Sequence, residues 1–232
     1  MKKTIKQSIS PDTILSDLIL DNPQLLLMME HFGLNIVVHK DTIRQICEQN
    51  QISTQLFILI LQLYLYGEVF EKQQLTKNDL LPLVNFLKNS HFYFRNEKFP
   101  EIEQHINKIV LNNNTPPIKL LKQFYKEYLV EVEKHLTYEE KYVFPYIQRW
   151  IDNNKESNDS FSINQYKKRH TDIEYKILEM KNLLIKHIEL EKDMVGRRKL
   201  LVSLSEVEHD LYLHSYVEDN ILIPLIINLE NR

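Results

Sequence analysis

Glycine is scarce in this chain: Gly33, Gly67 and Gly196 are the only three in 232 residues. All three fall at or near the ends of stretches rich in Leu, Ile, Lys and Glu, a pattern of helices and their stops that predicts an all-α protein. A single cysteine, Cys47, excludes an intramolecular disulfide and suits a reducing, cytoplasmic location. Lys2 and Lys3 are followed by no apolar run, so no secretory signal is expected. Basic residues are not in excess either. With 29 Lys and Arg against 32 Asp and Glu, the net charge of −3 leaves nothing to neutralise phosphates, so a nucleic-acid partner is not expected. Long hydrophobic runs are also lacking. The most apolar stretch, Leu56 to Tyr66, is too short to span a bilayer and contains Gln62. It predicts either a buried helix of a small domain or, because it is apolar on nearly all sides, a self-association surface.

What the chain does contain is one pattern written twice. His135, Glu139, Glu140 and Pro145 recur as His214, Glu218, Asp219 and Pro224, all at one constant offset. His91 and His170 keep the same offset, and the interval from His91 to His135 equals that from His170 to His214. A hairpin carrying two His and one Glu is thus repeated. Residues four apart share a helix face, so His135 pairs with Glu139 and His214 with Glu218.

The turns place these residues at one level. In an antiparallel hairpin, residues of equal height lie symmetrically about the loop. The midpoint of His91 and His135 is residue 113, inside the Asn/Pro-rich segment 111–117. That of His170 and His214 is 192, beside Gly196, and that of Glu139 and His170 falls in the polar segment 152–159. The prediction is an up-down-up-down four-helix bundle over residues 76–232, with helices near 78–110, 117–151, 162–191 and 197–229. A small helical domain, residues 1–72, precedes it. Its pieces run from Pro11 to Leu20, Pro23 to His31, Asp41 to Gln49 and Ser53 to Tyr66, with Asp41 and Ser53 as N-caps and Gly33 as a helix stop. Pro100, Pro145 and Pro224 fall inside the long helices. The bends at Pro145 and Pro224 are expected about 15 Å from the histidine level, ten residues on.

A lone His-x-x-x-Glu is more often a surface ion pair than a metal site. Two copies with two further His at matching spacing are different. Six polar groups converging on a bundle core would be costly to desolvate without a cation. Imidazoles and carboxylates without thiolate suit iron or manganese rather than structural zinc. Two octahedral ions held by four imidazoles, two bridging carboxylates and one bridging oxygen would each keep an open position. That position can take dioxygen, nitric oxide, peroxide or water.

On these residues the segment 78–229 resembles the hemerythrin-like (HHE) di-iron family. The set His91, His135, Glu139, His170, His214 and Glu218 is similar to the repair-of-iron-centres branch, called RIC. The resemblance implies that these six hold two non-haem irons, carboxylate- and oxo-bridged, with Glu139 and Glu218 bridging. It implies a role in restoring damaged iron–sulfur proteins and in the response to nitric oxide and oxidative stress. The alternatives are a reversible dioxygen or nitric oxide sensor, and a di-iron nitric oxide or peroxide reductase. Residues 23–53 resemble the family's small N-terminal domain, with one departure. The family's Cys-Cys pair is absent, and Val37 and Val38 stand in that segment. Residues 1–72 are therefore expected to act by packing or by forming a homodimer, and a chain beginning near Gln74 is expected to fold and load metal.

Weaker candidates flank the set. Glu131 and Asp210 each precede a ligand histidine by four, again at the offset of the repeat. They are expected to hydrogen-bond a ligand imidazole, or else to form a carboxylate path for protons or iron. His105, fourteen residues past His91, can share its face but lies about 21 Å along the helix, and is expected to pack or line a channel.

Overall fold

The computed structural model describes residues 9–34, 37–69, 74–113, 115–152, 161–163, 166, 174–190 and 193–231. The protein is an all-α helical bundle. Short helices α1 (Leu15–Asp21), α2 (Leu25–His31), α3 (Ile43–Gln49) and α4 (Thr54–Tyr66) come first. The first long limb is α5 (Leu80–Tyr93), a π segment Phe94–Lys98, and α6 (Phe99–Asn112). The second is α7 (Pro116–Tyr138), a π segment Glu139–Val143, and α8 (Phe144–Ile151). Helix α9 (Glu174–Lys186) belongs to the third limb. The fourth is α10 (Met194–Val217), a π segment Glu218–Leu222, and α11 (Ile223–Glu230). Helix α6 packs against α7 and α10, and α9 against the same two, so the limbs close a square. Among the described residues no helix is long and apolar enough to cross a membrane.

Local chemistry explains the boundaries. Ser53 caps α4 through Leu56 N–H at 3.3 Å, as its sequence position predicts. At α3 the cap is Thr42 rather than Asp41, because Gln45 three residues on completes a reciprocal capping box with Thr42. Gly33, at φ 69°, closes α2 with Leu34 N–H bonded back to Met29 O, a left-handed turn that favours glycine. Asp193 caps α10 through Gly196 N–H at 2.9 Å and also accepts from Asn112 of α6. A Cβ on Gly196 would meet the Asp193 carboxylate at 2.7 Å. Gly196→Ala should therefore cost about 1 kcal/mol, the worth of an N-cap, read as a lower denaturant midpoint.

The prolines act differently from the expectation. Pro100, Pro145 and Pro224 each sit in the first turn of the helix after a π segment, where a missing N–H costs nothing. A proline cannot donate to the carbonyl four residues back and crowds it. The chain instead widens upstream to i→i+5 bonds: Phe99 N–H to Phe94 O, Phe144 N–H to Glu139 O, and Ile223 N–H to Glu218 O. The irregularity in the repeated motif thus begins at Glu139 and Glu218 themselves, within a turn of the histidines, and not out at the prolines.

Packing yields two apolar layers. One holds Phe94, Ile102, Ile106, Leu121, Tyr125, Val132, Leu204 and Val207 in the far half of the bundle, with the helical spacing of a core stripe. The other joins α1–α4 to the near half, including Leu83, Phe86, Leu87, Phe144 and Leu213. Helix α4 is buried inside its own chain, with Leu56, Phe57, Ile60, Leu61 and Leu63 at 0% exposure. Val38 is buried in this layer while Val37 is exposed. Cys47 is a small buried hydrophobe, and burial pushes its thiol up to about 11.

His31 marks the seam between α2 and the bundle. Its Nδ1 lies 3.0 Å from the Tyr64 hydroxyl, its ring meets Phe86 edge-on at 5.2 Å, and its carbonyl accepts from Asn89. Burial first, then nearby His214, drives its pKa down to about 3. Because the unfolded value is about 6.5, the unfolded chain binds the proton more readily. The stability from keeping His31 neutral is complete above about pH 6.5 and is lost progressively as pH falls towards 3. Going from pH 7 to 5 should cost about 2 kcal/mol from this group alone. Denaturant unfolding at both pH values should show that difference shrinking by a similar amount in His31→Gln. An unchanged difference would assign the acid sensitivity elsewhere.

Candidate metal centre

A polar layer separates the two apolar ones. It contains His91 near the end of α5, His135 on α7, Glu139 at the start of its π segment, His214 on α10 and Glu218 at the start of the next π segment. Except for His135, at 12% side-chain exposure, these side chains are between 0 and 3% exposed. His135 Nε2 lies 2.7 Å from Glu139 Oε1, and His91 Nε2 lies 3.1 Å from Glu139 Oε2. His214 Nε2 is 3.4 Å from Glu218 Oε1 and 3.9 Å from Glu139 Oε2. His170 lies outside the described residues.

The far nitrogens are held from behind. His91 Nδ1 donates to Glu140 Oε1 at 2.9 Å. His214 Nδ1 lies 2.7 Å from Ser90 Oγ, and Ser90 gives its own proton to Leu87 O at 2.7 Å. A hydroxyl has one proton, so Ser90 must accept from His214 Nδ1–H. In the neutral form of each ring, Nε2 then presents its lone pair to the polar layer. Tyr166, itself buried, donates to Glu139 Oε1 at 2.6 Å.

Electrostatically the layer calls for positive charge. Burial opposes the ionised Glu139, yet the imidazoles of His135, His214 and His91 around it hold its carboxyl well below the usual range. Burial lowers His214, but the facing Glu218 and Glu139 carboxylates carry it up to about 9. Hydrogen bonds from His91 and Arg95 keep Glu140 ionised against a smaller opposing effect of burial.

The residues fit a bound cation. Among the described residues, His91 Nε2, Glu139 Oε2 and His214 Nε2 are buried without a hydrogen-bond partner, although they approach one another. Orphaned buried atoms that converge are costly unless something sits between them. Two groups have ligand atoms within 4.8 Å of one another: His91, Glu139 and His214, and His135, Glu139 and Glu218. Glu139 is common to both groups.

The flanking candidates go elsewhere. Asp210 does not hold His214, because Ser90 does. Its carboxylate accepts from Tyr93 at 3.1 Å, and burial raises its pKa to about 6. Glu131 forms an ion pair with Lys176 at 2.5 Å, with half its side chain exposed. His105 faces Glu101 at 3.5 Å on its own helix. Asp210 shares the face of His214, but the far nitrogen of that imidazole points across to the neighbouring limb, where Ser90 receives it. Glu140 does the same for His91. Glu140 was visible as the second acid of the repeated motif. Ser90 and Tyr166 have no like residue at the matching position of the other copy to flag them, Arg169 and Leu87 standing there instead.

Fold and site together define a cation-binding helical-bundle protein. Residues 82–226 match the hemerythrin HHE cation-binding domain, and the chain belongs to that family. No curated protein matches the chain.

Proposed function

We propose that the protein is a cytoplasmic non-haem di-iron protein of the RIC type, acting in repair of iron–sulfur clusters and in the response to nitric oxide and oxidants. The observation that carries this reading is Glu139, the carboxylate shared by both ligand groups among the described residues. His170 is assigned to the second group by the repeat. An all-imidazole and carboxylate donor set favours iron over a thiolate-bound structural zinc. Bound, a ferrous pair supplies either open positions for a small oxidant or iron itself for rebuilding a cluster.

The chain's own residues do the rest. Glu140 and Ser90 orient the imidazoles, and Tyr166 steadies the shared carboxylate. The Phe144 and Phe94 rings, 5.4 Å from His91 and 5.8 Å from His214 respectively, keep water from the ligands. No thiol pair is present to hold iron in transit, so transfer would proceed from the centre directly.

Iron analysis of the purified protein, followed by anaerobic incubation with a nitric-oxide-damaged iron–sulfur enzyme, tests this. The expected outcome is about two irons per chain and recovery of the enzyme's activity as that iron is consumed. A single ion, or zinc under native loading, would overturn the di-iron reading. Stable, reversible gas binding without iron transfer would make the protein a sensor, and catalytic loss of nitric oxide or peroxide would make it a reductase.

A further inference from the structure

We propose that Arg95 is a positioning residue for the metal centre, which acts through Glu140 on His91 and sets how firmly the ion at His91, His214 and Glu139 is retained. This rests on the di-iron reading above.

The geometry is a chain of contacts from the surface to a buried ligand. Arg95 Nε and Nη2 grip Glu133 Oε2 and Oε1, each at 2.9 Å. Its Nη1 donates to Glu140 Oε1 at 2.5 Å, the same oxygen that receives His91 Nδ1–H. A planar guanidinium can grip Glu133 with two nitrogens and still give a third to Glu140, a fixed fork that an ammonium lacks. Without it, Glu133 and Glu140 would face each other as like charges and Glu140 would swing out, leaving the His91 ring free to turn.

The chain of contacts opens outward. A groove of about 510 Å³ between α6 and α7 is lined by Arg95, Phe99, Glu103, Leu129 and Glu133. Anything that competes for Arg95 from this groove would loosen His91 without entering the buried layer. The second copy lacks this arginine at the matching position. Glu140 has an acidic counterpart in Asp219, but the repeat sets Glu174 opposite Arg95. One of the two ions should therefore be affected and the other not.

The test is release of iron(II) from the fully loaded chain to a ferrous chelator, followed by absorbance. In Arg95→Gln, half of the iron should leave about 10-fold faster, the size expected for losing an outer partner of a ligand histidine, while the other half keeps the wild-type rate. Because Arg95 acts only through Glu140, the double variant with Glu140→Gln should release no faster than Glu140→Gln alone. Arg95→Lys, which keeps the charge and loses the fork, should fall between wild type and Arg95→Gln, and it serves alone if Arg95→Gln does not fold. Lys134→Gln, also in the groove but outside the chain of contacts, should match wild type. Wild-type rates in Arg95→Gln, equal acceleration of both halves, or multiplying effects in the double variant would each overturn the proposal. A wild type carrying one iron would refute the di-iron reading instead. The proposal would then be decided by whether that ion leaves faster in Arg95→Gln.

Discussion

Glu139→Ala is expected to strip most of the metal from the protein, the largest loss for any single substitution in the layer. Among the described residues Glu139 is the one group common to both ligand sets, so its removal takes an oxygen from both sets at once. It also removes the anion that faces His135, His91 and His214. Breaking a buried charged constellation from one side costs about 3 kcal/mol or more in the metal-free protein, before any loss of metal-linked stability. Glu218→Ala should also release most of the paired metal. Glu131→Ala is the contrast. Its carboxylate is engaged with Lys176 at an exposed position, an interaction worth at most about 1 kcal/mol. Metal analysis by mass spectrometry on the three variants checks this. Equal loss from Glu131→Ala and Glu139→Ala would mean that the ligands are wrongly assigned.

Removing residues 1–73 is expected to unfold the near half of the bundle. From the sequence, a chain beginning at Gln74 should fold and keep its metal, because all six candidate ligands lie beyond it. The packing reverses that expectation. Phe86 lies between Phe32 at 4.9 Å, His31 at 5.2 Å and Tyr64 at 6.4 Å, all from the segment removed. Leu83, Leu87 and Leu213 belong to the same continuous core. Exposing a large apolar side chain costs roughly 1.5–3 kcal/mol, so the loss of a few such contacts approaches the roughly 5–15 kcal/mol that holds a domain together. The shortened chain should aggregate or melt without a cooperative transition, with little metal retained. A soluble, cooperatively melting product with a full metal complement would show that the near half is self-sufficient.

Spacing along single helices was enough to determine the all-α bundle and which residues could meet at one level. Backbone geometry is local, and a four-residue interval puts His135 with Glu139 or His214 with Glu218 on one face wherever the helix goes. The constant offset between the two copies then tied two hairpins to one level, and five of the six candidate ligands do meet there. The sixth, His170, lies outside the described residues. The absence of the cysteine pair was equally plain in the one-dimensional record.

What crosses from one limb to another was not determined in this way. That Ser90 on α5 backs His214 on α10, or that Glu140 backs His91, depends on the rotation and height of separate helices. Spacing within one helix suggested Asp210 behind His214 and Glu131 behind His135, and tertiary packing sent them to Tyr93 and Lys176. The π segments follow from proline chemistry, but their start at Glu139 and Glu218 depends on which backbone bonds the packed helix gives up. The shared core is likewise tertiary. An apolar helix such as α4 carries no mark of whether its cover is its own domain, another copy or the bundle, because burial of apolar surface is not directional. Only the placement of α2 and α4 over Phe86 decides it.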